Sequence, residues 1–419
     1  MWTAEQREVI ETALYKYAVK TAKDIIYGQH AVTGLFFKSK NNWNVICAAG
    51  TTLASLAIAD LYPDDCFDVI SKMIRTQENM LPEFYPDGAW SEGPGYWTYL
   101  MSSLPLMYQA VEDNFGTDFN LTKASGLEKT GYYLPATASA VGQNNFHDAD
   151  VGAVMPSQGA MFWLSNKYND TALTSLRLYL MGKNKTTPTI MDMLFYNTNI
   201  TSAEPAVQNP DVYFDGVEFV SLRNSWTNDD GAFISFHGGE TAVNHYHVDS
   251  GTFVIDMLGE RWACDIGPED YNLPEIFGNY RTRYYRNRPE GHNVYVINPQ
   301  DGGVGQNVED TFAPVEKTVS SNRGAYSIIN LFEPYSKYVT KARRGIKLED
   351  DRRSAVVRDE FVPVTDDSSV YWFMHTQAEI EIIDNNTFVL TKNGKKVKCM
   401  IETNGKDAVL SKMDAMPLQ

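Results

Sequence analysis

No apolar run in this 419-residue chain reaches the length of a membrane-spanning helix, which argues against a helical membrane protein. Cysteine is scarce: the four present, Cys47, Cys66, Cys264 and Cys399, lie far apart and form no Cys-x-x-Cys pair. That argues against a disulfide framework and reads the four as buried thiols rather than ligands. Positive charge is also in deficit, with 36 Lys and Arg against 53 Asp and Glu, a formal net charge of -17. Such a balance speaks against a nucleic-acid binder or a basic membrane-surface protein. Any site for an anionic polymer must therefore be a local basic patch. The opening residues Met1 to Gln6 lack the charged and apolar regions of a leader peptide. The chain is expected to be cytoplasmic, or secreted or periplasmic with its leader removed.

What is present is ample core material, 43% hydrophobic and 12% aromatic residues, in two halves of different period. Up to about residue 200 the pattern is helical. Glu5 to Ile26 carries an apolar face, and Trp43 to Leu61 is apolar nearly all round, so it predicts a buried helix. Asp64-Asp65 is expected to cap the next helix, and further helices are expected over 96–114, 152–168 and 171–180. From about Val212 the pattern turns to short strands separated by turn signals such as Asn385-Asn386 and Asn393-Gly394. The expected fold is α+β and multidomain: an incomplete α/α toroid over 1–205, then an antiparallel β-sandwich over 206–419. The junction is placed within 201–210.

The densest chemistry lies in Asn244-His245-Tyr246-His247-Val248-Asp249-Ser250-Gly251, which holds two of only seven histidines. Read as strand, this spacing points His245 and His247 to one side. A hairpin turning near Leu258-Gly259 would return Asp265 close to Thr252, and His292 opens a further apolar strand. Two imidazoles and a carboxylate converging from separate strands suit a divalent metal such as zinc. A buried His–Asp hydrogen-bond pair would give the same pattern.

Two clusters stand out in the helical half. Asn41-Asn42-Trp43-Asn44 opens the buried helix, and Asp87 to Tyr99 is a Gly/Pro-rich loop studded with aromatics. Either could be functional, or could simply cap a helix and cover a core. The run from Arg281 to Arg288 is the most conspicuous basic patch in an acidic chain. Its arginine forks suit carboxylate or sulfate groups, and its bland alternative is a solvated loop paired with Glu269, Asp270 and Glu290. Lys341 to Arg344 and Asp350 to Arg353 read as surface charge. His147 sits in a polar loop and reads as an ordinary loop histidine more readily than a cleft residue, while His237 and His375 read as satisfied core histidines.

Together Asn42-Trp43, Asp87-Gly88, Glu92-Gly-Pro-Gly-Tyr96, His245-x-His247-x-Asp249-x-Gly251-x-Phe253, Asp265-x-Gly267 and Arg288 with His292-Asn293 resemble the heparinase II/III-like polysaccharide lyases, a family related to alginate and chondroitin lyases. The resemblance covers roughly residues 40 to 300. It implies an α/α toroid followed by antiparallel sheets, with a longer helical domain than this one, so the chain is expected to be truncated at its N-terminus. It also implies β-elimination on an acidic polysaccharide partner, with Asn42, Tyr96 and His245 catalytic. His247, Asp265 and His292 match the family's metal ligands, for zinc first, with manganese or calcium as alternatives, in a structural role. Asn44, Glu92, Trp97, Arg283 and Arg288 are the expected substrate contacts. Two other readings stand beside it: a glycoside hydrolase using Glu92 and Asp87, and a non-catalytic glycan binder braced by a metal.

Overall fold

The computed structural model describes residues 2–31, 34–144, 146–149, 158–204, 209–299, 305–306 and 310–417. The chain forms two compact units, one built from Met1–Trp90, Tyr96–Leu134 and Ser157–Ala206, the other from Ser91–Gly95, Pro135–Pro156 and Val207–Gln419. The expected domain boundary at 205/206 lies outside the described residues, as does the first part of the expected helix over 152–168, whose described portion is the helix Ala160–Tyr168.

The first unit is helical. Its central helix, Asn42–Ala57, begins where the Asn41 side chain accepts a hydrogen bond from the Trp43 amide at 3.1 Å, a cap of the kind worth about 1 kcal/mol. Val45, Ala48, Ala49 and Ala54 bury its apolar stripe, and it packs on the helices Pro63–Met80 and Leu104–Phe115. The uniform burial expected of it fails at its first turn, where Trp43 is 61% exposed. Asp64 and Asp65 do not cap the next helix. Pro63 starts it with its preset φ, and the two carboxylates lie in the first turn, where they face the positive end of the helix dipole. In the helix Thr171–Asn184, buried Arg177 forks onto Asp192, with Nη2–Oδ1 at 2.9 Å. Asp192 in turn closes a capping box with Thr189 at the start of the helix Ile190–Phe195.

The second unit is built on antiparallel sheets. One has five strands in the order Val212–Phe214, Phe219–Arg223, Phe233–His237, Phe253–Met257, Glu260–Ala263. Another has four, in the order Ser354–Pro363, Val339–Glu349, Gly324–Asn330, Val315–Ser321. They share one core, with Val220, Leu222, Ile234 and Phe236 from the first and Ile329, Ile346 and Leu348 from the second. The hairpin at Leu258-Gly259 is present as expected. Both residues have positive φ (57° and 68°), as a two-residue turn with the sheet's own twist requires. Two charge runs expected at the surface lie there except for one arginine in each. Alternation along the strand Val339–Glu349 turns Arg344 inward, where it is fully buried and pairs with Asp359 at 2.7 Å. Arg352 is likewise buried, on Asp211, at 2.6 Å. A further sheet has three strands in the order Glu379–Asp384, Thr387–Lys392, Lys395–Met400.

Candidate functional site

The candidate site lies in the second unit, where two loops are stitched together. One contains His147 and Asp148, the other runs from Asn244 to Asp249. The Asp148 amide donates to the His245 carbonyl at 3.0 Å, and the His247 amide donates to His147 Nδ1 at 3.2 Å. His147 and His245 both hold positive φ (59° and 65°), a conformation that costs energy outside glycine and persists only where the surroundings enforce it. The stretch around His245 is thus a loop and not the strand expected from its spacing. His245 and His247 still turn to a common partner, Asp148, for a reason that alternation along a strand does not supply.

Asp148 is buried, and its two oxygens divide the neighbours. Oδ1 lies 2.9 Å from His247 Nε2, and Oδ2 lies 3.0 Å from His245 Nδ1 and 2.8 Å from Arg281 Nη2. Burial by itself would raise this carboxyl, but hydrogen bonds from His245 and His247 and the positive charge of Arg281 hold it well below the usual carboxylate range. Arg281 also donates from Nε to the Tyr246 carbonyl at 2.9 Å. Glu92, in the loop that leads to Tyr96, accepts from Asn244 at 2.6 Å and lies 3.8 Å from His245 Nε2.

On the far side of His247 a second convergence occurs. One ligand atom each from His247, Asp249 and His292 falls within 4.8 Å of the others, and all three residues are buried. His247 Nδ1, Asp249 Oδ2 and His292 Nε2 have no hydrogen-bond partner among the described residues. Buried polar atoms without partners are costly, and three of them together fit a cation better than they fit one another. Each imidazole is anchored through its other nitrogen, His247 on Asp148 and His292 on Asp265 at 2.7 Å. Carboxylate–histidine–metal relays have this geometry. The set expected from sequence, His247, Asp265 and His292, shares both imidazoles with this triad, and Asp265 stands on the outer nitrogen of His292. Burial pushes His247 down to about 4 and Asp249 up to about 7. It also opposes charge on His292, but Asp265 overcomes that and raises it.

The other expected site residues are placed as follows. Tyr96 is half-buried in the helix Pro94–Met101, and Tyr99 on the same helix is 50% exposed. Asn42 is buried at the start of its helix. Asn44 is buried too, donating to the Ser39 and Thr76 carbonyls and accepting from Gln77 at 2.9 Å. Trp97 is fully buried, with its indole N–H on Thr130 at 2.7 Å. Asp87 accepts from the Ala89 amide at 3.4 Å. Arg283 lies over the Tyr280 ring at 4.6 Å, and Arg288 pairs with buried Glu290 at 3.0 Å. His237 stacks on Phe146 at 4.0 Å. His375 takes its partner from Tyr285, at 3.1 Å. His147, read as an ordinary loop residue, is buried inside the cluster. Sequence reasoning missed Asp148 and the role of Arg281. The only signal for Asp148 was its place beside His147 in a polar loop far upstream of the His-x-His stretch.

A helical unit and a unit of antiparallel sheets, the latter carrying a buried imidazole–carboxylate centre, define a protein of the heparinase III fold. The chain aligns with a crystal structure of heparinase III over 93% of its own length and 65% of that chain's, at TM-score 0.61 and 14% identity. A second heparinase III structure aligns over 91% and 58%, at TM-score 0.62 and 16% identity. A heparan sulfate lyase from Pedobacter heparinus aligns over 89% and 53%, at TM-score 0.59 and 14% identity. The chain thus spans between about half and two thirds of the structures it matches. No curated protein sequence matches it. Residues 209–412 match the heparinase II/III-like, C-terminal family, and the likeness of the chain to the heparinase III structures is one of fold.

Proposed function

We propose that this chain carries the catalytic part of a lyase that cleaves a uronic-acid-containing polysaccharide by β-elimination, leaving a 4,5-unsaturated uronate. The observation that supports the reading is the buried cluster of His245, His247 and His292 with its carboxylates, assembled from the motif residues that carry the family resemblance. The names of the structural neighbours, heparinase III and heparan sulfate lyase, favour a glycosaminoglycan over alginate as the substrate class.

The chemistry demands three things of the protein. The C5 proton of a uronate is weakly acidic until its carboxylate is neutralised, so donors must meet that carboxylate as charge develops. Asn42 serves there with its amide. A base must then take the C5 proton while an acid protonates the departing O4. Tyr96 fills this role, and His245 is the second base for epimers that present C5–H from the other side. Arg283 and Arg288 supply local positive charge for an anionic chain in a protein of net charge -17. The donor set of the His247 triad fits a divalent cation, zinc before manganese or calcium, which when bound would tie the segments together as a structural element.

The test is incubation with heparan sulfate, chondroitin sulfate, hyaluronan, alginate and polygalacturonate, following ultraviolet absorbance of the unsaturated uronate. Absorbance that grows with one of them is the expected result. New reducing ends without absorbance would identify a hydrolase and end the lyase reading, and neither signal on any polymer would leave a glycan-binding protein.

A further inference from the structure

We propose that Asp148 is a positioning residue that sets the ring tautomers of His245 and His247 at once, coupling the histidine of the proposed reaction to the histidine of the candidate metal site. The inference takes its meaning for catalysis from the lyase reading above, but its physical content stands without it.

An ionised carboxylate can only accept hydrogen bonds. Asp148 Oδ2 at 3.0 Å therefore places the proton of neutral His245 on Nδ1, and Oδ1 at 2.9 Å places that of His247 on Nε2. The lone pairs follow by elimination. In His245 the lone pair is on Nε2, the nitrogen that can take a proton. In His247 it is on Nδ1, which like Asp249 Oδ2 and His292 Nε2 is buried with no hydrogen-bond partner among the described residues. The two rings thus carry opposite tautomers because one carboxylate lies between them, touching Nδ1 of one and Nε2 of the other. Arg281 holds Oδ2 from a third direction, and the Asp148 amide is pinned to the His245 carbonyl, so the carboxylate has little room to turn. The Tyr271 hydroxyl, 3.1 Å from His245 Nδ1, is amphoteric and follows whichever tautomer Asp148 sets.

The experiment is ¹⁵N NMR of the histidine rings in the whole chain, selectively labelled and at a pH above the histidine range, with single His→Gln variants for assignment among the seven histidines. In the wild-type protein His245 is expected as the Nδ1–H tautomer and His247 as the Nε2–H tautomer. Either one reversed overturns the proposal with no variant needed, so a variant that fails to fold does not shelter it. Asp148→Asn keeps the size but accepts through one oxygen only. It is expected to switch or mix the tautomer of at least one ring and to weaken zinc binding by about 10–100-fold, the usual cost of losing such an outer partner. Asp148→Glu, which retains a carboxylate, is expected to recover part of the zinc affinity. A folded Asp148→Asn with both tautomers and zinc affinity unchanged also refutes the idea. Correct tautomers with no unsaturated product from any polysaccharide would refute the lyase reading and leave Asp148 as assigned.

Discussion

His292 Nδ1 and Asp265 Oδ2 lie 2.7 Å apart in the interior of the sheet unit, which leaves His292 Nε2 as the ring nitrogen available to the cluster with His247 and Asp249. A carboxylate on the far nitrogen of a ligating imidazole orients the ring and raises its basicity. Removing the ring should remove the metal. His292→Ala is expected to abolish bound divalent cation in protein purified without chelator and to lower the melting temperature, since metal binding adds to folding stability. Elemental analysis and thermal unfolding with and without zinc check both. Equal and negligible metal in the wild type and the variant would sink the metal site.

The two carboxylates near His292 separate in a second measurement. Asp249→Asn should cost as much zinc affinity as His292→Ala, because Asp249 offers a ligand atom within 4.8 Å of those of His247 and His292. Asp265→Asn should cost only about 10–100-fold, because it acts through the His292 ring. Competition titration with a chromogenic chelator reads both, and the reverse order would make Asp265 the direct ligand.

Tyr96→Phe keeps ring volume and removes one hydroxyl. If Tyr96 carries the proton, kcat should fall by roughly 10²–10⁴-fold with KM changed far less. Tyr99→Phe on the same helix is the control, since Tyr99 is 50% exposed, and it should be mild. A dead Tyr99→Phe beside an active Tyr96→Phe would show that the choice within the motif is wrong. Activity in both would leave His245 as the sole base.

Acid should unfold the sheet unit through its buried histidines. Burial pushes His237 down to about 3 and His375 down to about 4, while an unfolded chain holds histidine near about 6.5. Between these values the unfolded state binds more protons, so stability is full above about pH 6.5 and falls as pH drops towards the folded values. His237→Phe keeps the stack on Phe146 and removes one of these titrations. Its melting temperature should therefore decline less steeply than the wild type's between about pH 6.5 and 4. Parallel slopes would refute the assignment.

In the helical unit, Asp192→Asn leaves the Arg177 guanidinium buried without its counter-charge. The expected loss of stability is about 3–5 kcal/mol. Adding Arg177→Met should restore part of it. Denaturant melts of the single and double variants check the sign, and a single variant as stable as wild type would remove the pair from the account.

The order of helices before sheets, the Leu258-Gly259 turn, and the histidine-rich stretch around His245 and His247 were legible in the sequence because each rests on short-range rules. Periodicity selects helix or strand, a two-residue turn returns the chain, and rare residue types at close spacing draw attention. Arg344 and Arg352 were misjudged because charge alone reads as surface. Their burial depends on Asp359 and Asp211, which the sheet brings to them from other segments.

What the sequence determined by itself is therefore the kinds of layers and the cast of chemical groups. Which groups meet was decided only by tertiary structure. Asp148 lies far from His245 and His247 along the chain and carries no local signal beyond its place beside His147, yet it holds a nitrogen of each. The His245 stretch alternates like a strand, but it is a loop, left-handed at His245 and stitched to the segment carrying His147. The physical reason is range. Propensity and period act over a few residues, whereas a buried carboxylate is tolerated only where separate segments bring it enough donors.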